Sequence, residues 1–353
     1  MRPLRLLDMG GRVTAPADAP FDFGARFGAV GDRLRTENEE RMDQAPRCLK
    51  FGVHFLDVAL GGIFPGDLIL LGAKTGIGKT SLAVLIAQAN ALKGKRVHFF
   101  ALEAEPKEIE RRLKYNMVAE AMAERRRIGY DRLNFLDWYM GRFNKLTAAI
   151  EVTIDGELAQ AYRNLHTYYN DGTITIETLE RLILGIQGDT DLVVIDHLHF
   201  LDSDDPSENR AMKAITKRIR MLALSIGKPV IVVAHVRKSE RRGAPLVPTL
   251  DDFHGSSDIP KIATKAIMIA PAYDQSSGES HKWATFIHPA KCRFDGQRTR
   301  YVGVVMYNSR MGAYERPFSL GRLSTAGDEF TFLSAKETPT WAHPEAHPEE
   351  TPE

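Results

Sequence analysis

Cysteine is nearly absent: the 353 residues contain two, Cys48 and Cys292, far apart and with no C-x-x-C pair. That argues against a disulfide scaffold and for a reducing compartment. An excess of either charge is lacking too. Lys plus Arg number 47 against 46 Asp plus Glu, so any nucleic-acid site must arise from local clustering of cations. No apolar run approaches a membrane span, and the opening MRPLRLLDMGG is too short in apolar residues for a signal peptide. Repeats of solenoid period are missing as well. These absences predict a soluble, cytoplasmic protein with no membrane partner. The 43% hydrophobic content is enough for one sizeable core, so one main domain is expected.

Organisation follows from composition. Residues 1 to about 20 lack helical periodicity and read as a mobile arm. The segment FGAVGDRLRTENEERM, residues 27–42, is highly charged; it reads equally as a helix leaning on another surface or as a solvated one. From Leu68 onward, short apolar runs alternate with amphipathic ones, the signature of a sheet wrapped by helices. The β-like runs are DLILLG, RVHFFAL, DLVVID, PVIVVAH, KAIMIA, ATFIH and YVGVVMY. Met212, Ile215, Ile219, Leu222 and Ile226 recur at helical spacing and predict a core-facing stripe. Residues 105–187 are expected to hold two or three helices, the first starting at Glu105-Pro106, with Trp138 and Tyr139 in the core. The final segment ETPTWAHPEAHPEETPE has five Glu, four Pro and no Lys or Arg, which predicts disorder. The expected division is therefore an arm with a possible linker helix over 1–45, a core over 46–335 and an acidic, Pro-rich tail over 336–353. Such a tail could solubilise the chain or dock on a basic partner.

Chemistry is concentrated in a few motifs. The stretch Ala73, Lys74, Thr75, Gly76, Ile77, Gly78, Lys79, Thr80 lies between a strand-like run and the apolar helix that begins at Ser81. This is the context a phosphate-binding loop requires. Its glycines let backbone N–H groups converge on phosphate, Lys79 reaches the β and γ phosphates, and Thr80 offers a hydroxyl to Mg²⁺. Alanine at the first position is a minor departure, because the later glycines shape the loop. Asp196, ending DLVVID, is expected beside Thr80 as the second Mg²⁺ holder. Glu103, just past RVHFFAL, is placed at the same sheet edge as general base. Glu105 competes for that role but also fits a helix start. His197 and His199 form an H-x-H that could hold a metal on one strand face, yet no third ligand is visible, so a metal site is not expected. His235, ending PVIVVAH, reads as a γ-phosphate sensor. Behind it, Arg237, Lys238, Arg241 and Arg242 crowd a Gly- and Pro-bounded loop. Such a loop can be merely solvated; its place beside His235 points to a grip on phosphodiester backbone.

Lys291 and Arg293, two apart in PAKCRFDG, are left over once Lys79 and Mg²⁺ serve the phosphates. An arginine reaching ATP across a subunit boundary would stabilise transition-state charge, so the pair is expected to serve a neighbour in a head-to-tail assembly. Two solvent-facing cations on an edge strand are the alternative.

Over about residues 50–320 the chain resembles the RecA-like ATPase core of superfamily 4 replicative helicases, the group of DnaB, Twinkle and the phage primase-helicases. The resemblance rests on LDVALGGIFPGDLILLGAKTGIGKTS, FALE, LVVIDHLHFL, PVIVVAHVRK and HPAKCRFDG, in family order. The wording D-H-L-H and K-C-R-F-x-G looks nearer the phage and Twinkle branch. The resemblance implies a P-loop α/β fold with a mainly parallel sheet and late antiparallel strands. It also implies an ATP-dependent, Mg²⁺-requiring hexameric ring that translocates on single-stranded DNA and unwinds forked duplex during replication. Arg293 would be the arginine finger, Lys291 its companion, and Arg237 and Lys238 the best-matched DNA contacts. His254, in DDFHGSSDI, stands where the family has arginine. The chain offers no room for a primase or helical collar, so priming is not expected and the ring must be held by the core and its short arm. A phage or bacterial origin and a replication partner for the acidic tail fit this reading. A RecA- or KaiC-like ATPase acting on DNA as a switch, without unwinding, would use the same nucleotide site.

Overall fold

The computed structural model describes residues 30–34, 41–42, 48–124, 133–142, 145–170, 172, 174–203, 205–236, 246–253, 258–272 and 281–343. Contacts divide the chain into Met1–Cys48 and Leu49–Glu353. Of the first unit, one helical turn, Val30–Arg33, is described; most of the 27–42 segment lies outside the described residues.

In the second unit, six strands run parallel: β1 (Leu68–Ala73), β2 (Val97–Ala101), β3 (Leu165–Tyr169), β5 (Leu192–Asp196), β7 (Val230–His235) and β8 (Lys265–Pro271). Four more, β9 (Lys282–Cys292), β10 (Val302–Asn308), β11 (Ala313–Leu323) and β12 (Phe330–Phe332), continue the sheet antiparallel from β8. The order is β12-β11-β10-β9-β8-β1-β7-β5-β2-β3. A separate two-stranded pair joins β4 (Ile174–Thr175) and β6 (Leu201–Asp202). The mainly parallel sheet with late antiparallel strands is the expected fold class.

The central strands read as continuous apolar runs because both their faces are covered. Alternation splits β1 between the two: Ile69 and Leu71 join one cluster with α1 (His54–Leu60) and α2 (Lys79–Ala91), and Leu68 and Leu70 join the other. That second cluster receives α6 (Ile176–Ile186) and α7 (Glu208–Ile226), whose Met212, Ile215, Ile219 and Leu222 are buried as their spacing predicts, with Ile226 half-buried. A satellite cluster forms where α3 (Glu108–Glu124), α4 (Phe135–Tyr139) and α5 (Lys145–Ala161) meet around Tyr115, Met122 and Trp138.

Four expectations need correction. The described part of residues 105–187 holds four helices, α3 to α6, together with β3 and β4. The strand LHTYY was illegible because it lies at the sheet edge, half-buried, without an apolar run. The first helix starts at Glu108, after Lys107 turns the chain at φ 71°, and not at Glu105-Pro106. Tyr139 is exposed, its hydroxyl accepting from Arg111 at 3.1 Å. The acidic segment also begins folded. Trp341 packs 5.7 Å from the Tyr301 ring and takes the Arg298 guanidinium over its face at 5.3 Å, so the core surface extends past residue 335. Residues 344–353 lie outside the described residues.

Candidate active site

The loop between β1 and α2 turns through two glycines in left-handed conformation, Gly76 at φ 82° and Gly78 at φ 92°. A side chain would strain either position. With them, the first N–H groups of a 13-residue helix are left facing the loop. Lys79, 5% exposed, donates from Nζ to the Ala73 carbonyl at 3.1 Å and stands 3.4 Å from His235 Nδ1. Burial lowers its pKa, against the pull of Asp196 and Glu103.

Strand order brings the remaining groups in. Because β7 is inserted between β1 and β5, His235 sits level with Ala73, between the phosphate loop and the end of β5. Asp196 ends β5 almost fully buried, which pushes its carboxyl up to about 7; a hydrogen bond from Thr80 acts the other way and the charge of Glu103 adds to the rise. Its Oδ1 is buried with no hydrogen-bond partner among the described residues. An orphaned carboxylate oxygen beside a threonine hydroxyl is a donor set that fits Mg²⁺.

Glu103 follows β2 and is half-exposed; it contacts His197 Nε2. Burial drives the His197 pKa down to about 3, with the neighbouring His235 and Lys79 reinforcing it. The contact is therefore a neutral imidazole N–H donated to a carboxylate. His197 has φ 73°, in the left-handed region that non-glycine residues seldom adopt. The strand ends at Asp196, and the chain turns through His197 into a 3₁₀ turn, Leu198–Phe200. His197 and His199 therefore do not share a strand face. His197 lies instead against His235, ring centroids 4.6 Å apart, and His199 lies 5.6 Å from the same ring. Glu103, His197 and His235 each place a ligand atom within 4.8 Å of the others. His199 is not in this group; Glu103 and His235, which sequence spacing could not join to His197, come from the ends of β2 and β7. Glu105 is not part of this group.

Beside the phosphate loop, toward the antiparallel strands, opens a 660 Å³ cleft lined by Ile77, Ser81, Arg112, Phe135, Trp283 and Tyr307, among others. Its aromatic wall, with Trp283 and Tyr307 rings 5.4 Å apart, was not anticipated, because Arg112, Trp283 and Tyr307 belong to no motif.

Lys291 and Arg293 occupy the opposite end of the sheet. Lys291 pairs with Ala266, level with Leu70 in the middle of β1, and Arg293 bonds to Thr264, whose N–H donates to Leu68 at the start of β1, whereas the phosphate loop leaves the end of that strand. Roughly 10–15 Å of strand separates the two levels. The strand stops at Cys292, so Arg293 is exposed just beyond it, its N–H donating to the Thr264 carbonyl at 2.8 Å. Lys291 Nζ donates to the carbonyls of Pro260 and Lys261 at 2.6 and 3.0 Å. A third cation missed in the sequence, Arg220 of α7, donates to the Gly66 carbonyl and lies close enough to Arg293 for the two charges to act on each other. Beneath them Lys265, fully buried, pairs with Asp67 at 2.6 Å. Arg237, Lys238, Arg241, Arg242 and His254 lie outside the described residues.

A model of the DnaB-like helicase C-terminal domain matches residues 48–311, most of the chain and all the motifs described above. The chain belongs to that family. Relatives include the replicative DNA helicase DnaB of Leifsonia xyli, 25% identical over 66% of this chain and 49% of that protein. A probable plasmid replicative DNA helicase of Chlamydia psittaci is 28% identical over 65% and 47%. The chain thus spans about half the length of these relatives. Among solved structures, one ATPase domain aligns with TM-score 0.58 and 15% identity, over 87% of this chain and all of that one. A DnaB-like replicative helicase studied with primase aligns equally well at 16% identity, over 87% and 69%. Both likenesses establish the shared RecA-like fold of the DnaB ATPase domains. Among the described residues, no helix is long and apolar enough to cross a membrane.

Proposed function

We propose that this chain is the motor of a replicative DNA helicase, hydrolysing ATP with Mg²⁺ at junctions between copies in a closed, six-membered ring on single-stranded DNA. The carrying observation is the division of the cations: Lys79 stands at one end of the sheet and Arg293 at the other. On this reading Arg293 of a second copy completes the phosphate contacts of one protomer.

Gly76 to Thr80 would cradle the phosphates, and the Trp283–Tyr307 wall would seat the base. Thr80 and Asp196 would hold Mg²⁺, which neutralises phosphate charge when bound. Glu103 would orient the attacking water and accept its proton. In the form described here its carboxylate is engaged by His197, so hydrolysis requires Glu103 to turn from that imidazole toward the water. His235, 3.4 Å from the Lys79 ammonium, would register γ-phosphate. Arg293 of a second copy would meet the charge that develops on the transferring group. The loop of Arg237, Lys238, Arg241 and Arg242, directly after His235, would carry the strand and respond to that sensor.

Purified protein should show ATPase activity stimulated by single-stranded DNA and should unwind a forked duplex. Arg293→Ala should lower turnover by roughly 10³-fold while sparing nucleotide binding. Mixing Arg293→Ala with Lys79→Ala subunits, each inactive alone, should restore part of the activity, since one junction type regains both cations. Full turnover by Arg293→Ala would refute the composite site, and DNA-stimulated hydrolysis without unwinding would refute the helicase reading.

A further inference from the structure

Two imidazoles and a carboxylate converge where β2, β5 and β7 end, and the phosphate chemistry described above does not need both imidazoles. Their ligand atoms lie within 4.8 Å of one another. We propose that Glu103, His197 and His235 form a binding site for a borderline transition metal, Zn²⁺ as the type case, adjoining the Mg²⁺ position at Thr80 and Asp196, since His197 Nε2 stands 3.7 Å from Asp196 Oδ1, and that its occupancy arrests hydrolysis. The arrest rests on the proposed ATPase function; the metal site does not.

Ligand chemistry selects the ion. Imidazole nitrogen suits zinc, nickel and copper, whereas Mg²⁺ takes oxygen ligands and keeps its waters. Two histidines and one carboxylate with an open fourth position is a recurrent zinc ligand set. Bonds of about 2.0–2.1 Å at tetrahedral angles place ligand atoms roughly 3.4 Å apart, so the group must contract. Glu103 can do this, because its side chain is 46% exposed and free to change rotamer. His197 provides the fixed side: it is 7% exposed and held by a left-handed backbone.

Metal capture replaces an existing contact. The His197 nitrogen that now donates to Glu103 would give its lone pair to the metal, and the ring's single proton would move to the other nitrogen. That nitrogen, Nδ1, is buried with no hydrogen-bond partner among the described residues, so none of them orients the ring from behind. The Lys79 ammonium, 3.4 Å from His235 Nδ1, also opposes a second cation. Both features weaken the site relative to a structural zinc centre and place its affinity in the micromolar class. The functional consequence follows from identity of residues: a carboxylate held on a metal is a much weaker base and is fixed away from the attacking water.

The test uses the full chain without nucleotide. Co²⁺ should produce a visible d–d band without a thiolate charge-transfer band, and Zn²⁺ should displace a chromophoric chelator with one equivalent per chain. His197→Asn, His235→Asn and Glu103→Gln should each weaken Zn²⁺ binding at least roughly 10-fold. Glu103→Gln alters a half-exposed side chain and should melt like the parent protein, so its loss of binding cannot be charged to misfolding. His166→Asn, on β3 and stacked on His98 with centroids 4.8 Å apart, should leave binding unchanged. Absence of saturable binding at micromolar zinc, survival of binding in the three ligand variants, or a thiolate band from Cys48 or Cys292 would each overturn the site. In Mg²⁺-supported ATPase assays, added Zn²⁺ should inhibit and a chelator should restore activity. Zinc bound with turnover intact would overturn the arrest alone, and zinc bound by a protein that never hydrolyses ATP would count against the function and not the site.

Discussion

Lys265→Met isolates one buried charge and gives a sharp stability prediction. Lys265 is 0% exposed and Asp67 1% exposed, and their side chains meet at 2.6 Å. Nζ also donates to the Gly62 carbonyl at 2.9 Å and lies 4.2 Å above the Phe64 ring. Asp67 accepts from the Thr264 hydroxyl at 2.7 Å and from the Phe64 N–H at 2.9 Å. Methionine preserves the stem volume but leaves Asp67 as a buried anion served only by neutral donors. Breaking such a pair from one side costs about 3–5 kcal/mol. At roughly 2 °C per kcal/mol for a domain of this size, the melting temperature should fall by about 6–10 °C. Asp67→Asn added to Lys265→Met removes both charges; the amide oxygen can accept from the Phe64 N–H while its NH2 donates to the Thr264 hydroxyl, which turns to the Leu68 carbonyl, so most of the loss should be recovered. Urea unfolding monitored by circular dichroism, in the absence of nucleotide, gives the three free energies. A single variant within about 1 kcal/mol of the parent, or a double variant no better than the single, would refute the reasoning.

Tyr307→Ala should raise the ATP KM about 10-fold or more, since stacking of a base on an aromatic ring is worth roughly 1–3 kcal/mol. Inorganic triphosphate, which has no base, should bind as before; an equal loss for both would remove Tyr307 from the base seat. Acidification should destabilise the fold through His98 and His288. Burial lowers the pKa of both, with His166 adding to the effect on His98, so the unfolded chain binds protons first as pH falls below the ordinary value of 6.5. Their contribution is complete above that value and is lost as pH falls through the lower folded values. Asp196, raised to about 7, acts in the opposite direction, so the test compares urea midpoints of the parent and His98→Asn between pH 7.5 and 5: the variant should lose less stability on acidification, and an equal or greater loss would contradict this.

Local features were legible in the sequence because their physics is local. A phosphate loop needs glycines, a lysine and a hydroxyl within eight residues, and buried strands read as apolar runs, so Ala73 to Ser81 and seven of the strands could be read directly. The stripe of α7 was equally plain, because a helix repeats its buried face every three or four residues. What the sequence could not contain was adjacency between distant segments. The insertion of β7 between β1 and β5 sets His235 beside Lys79, and the left-handed turn at His197 swings that imidazole onto Glu103 and away from His199. Neither follows from the spacing H-x-H. The edge strand LHTYY, the Trp283–Tyr307 wall and the meeting of Arg220 with Arg293 were hidden for the same reason. Sequence alone determined which chemical groups the chain carries and in which local elements. Tertiary structure decided which of them touch, because strand order and backbone handedness are settled by packing of the whole sheet.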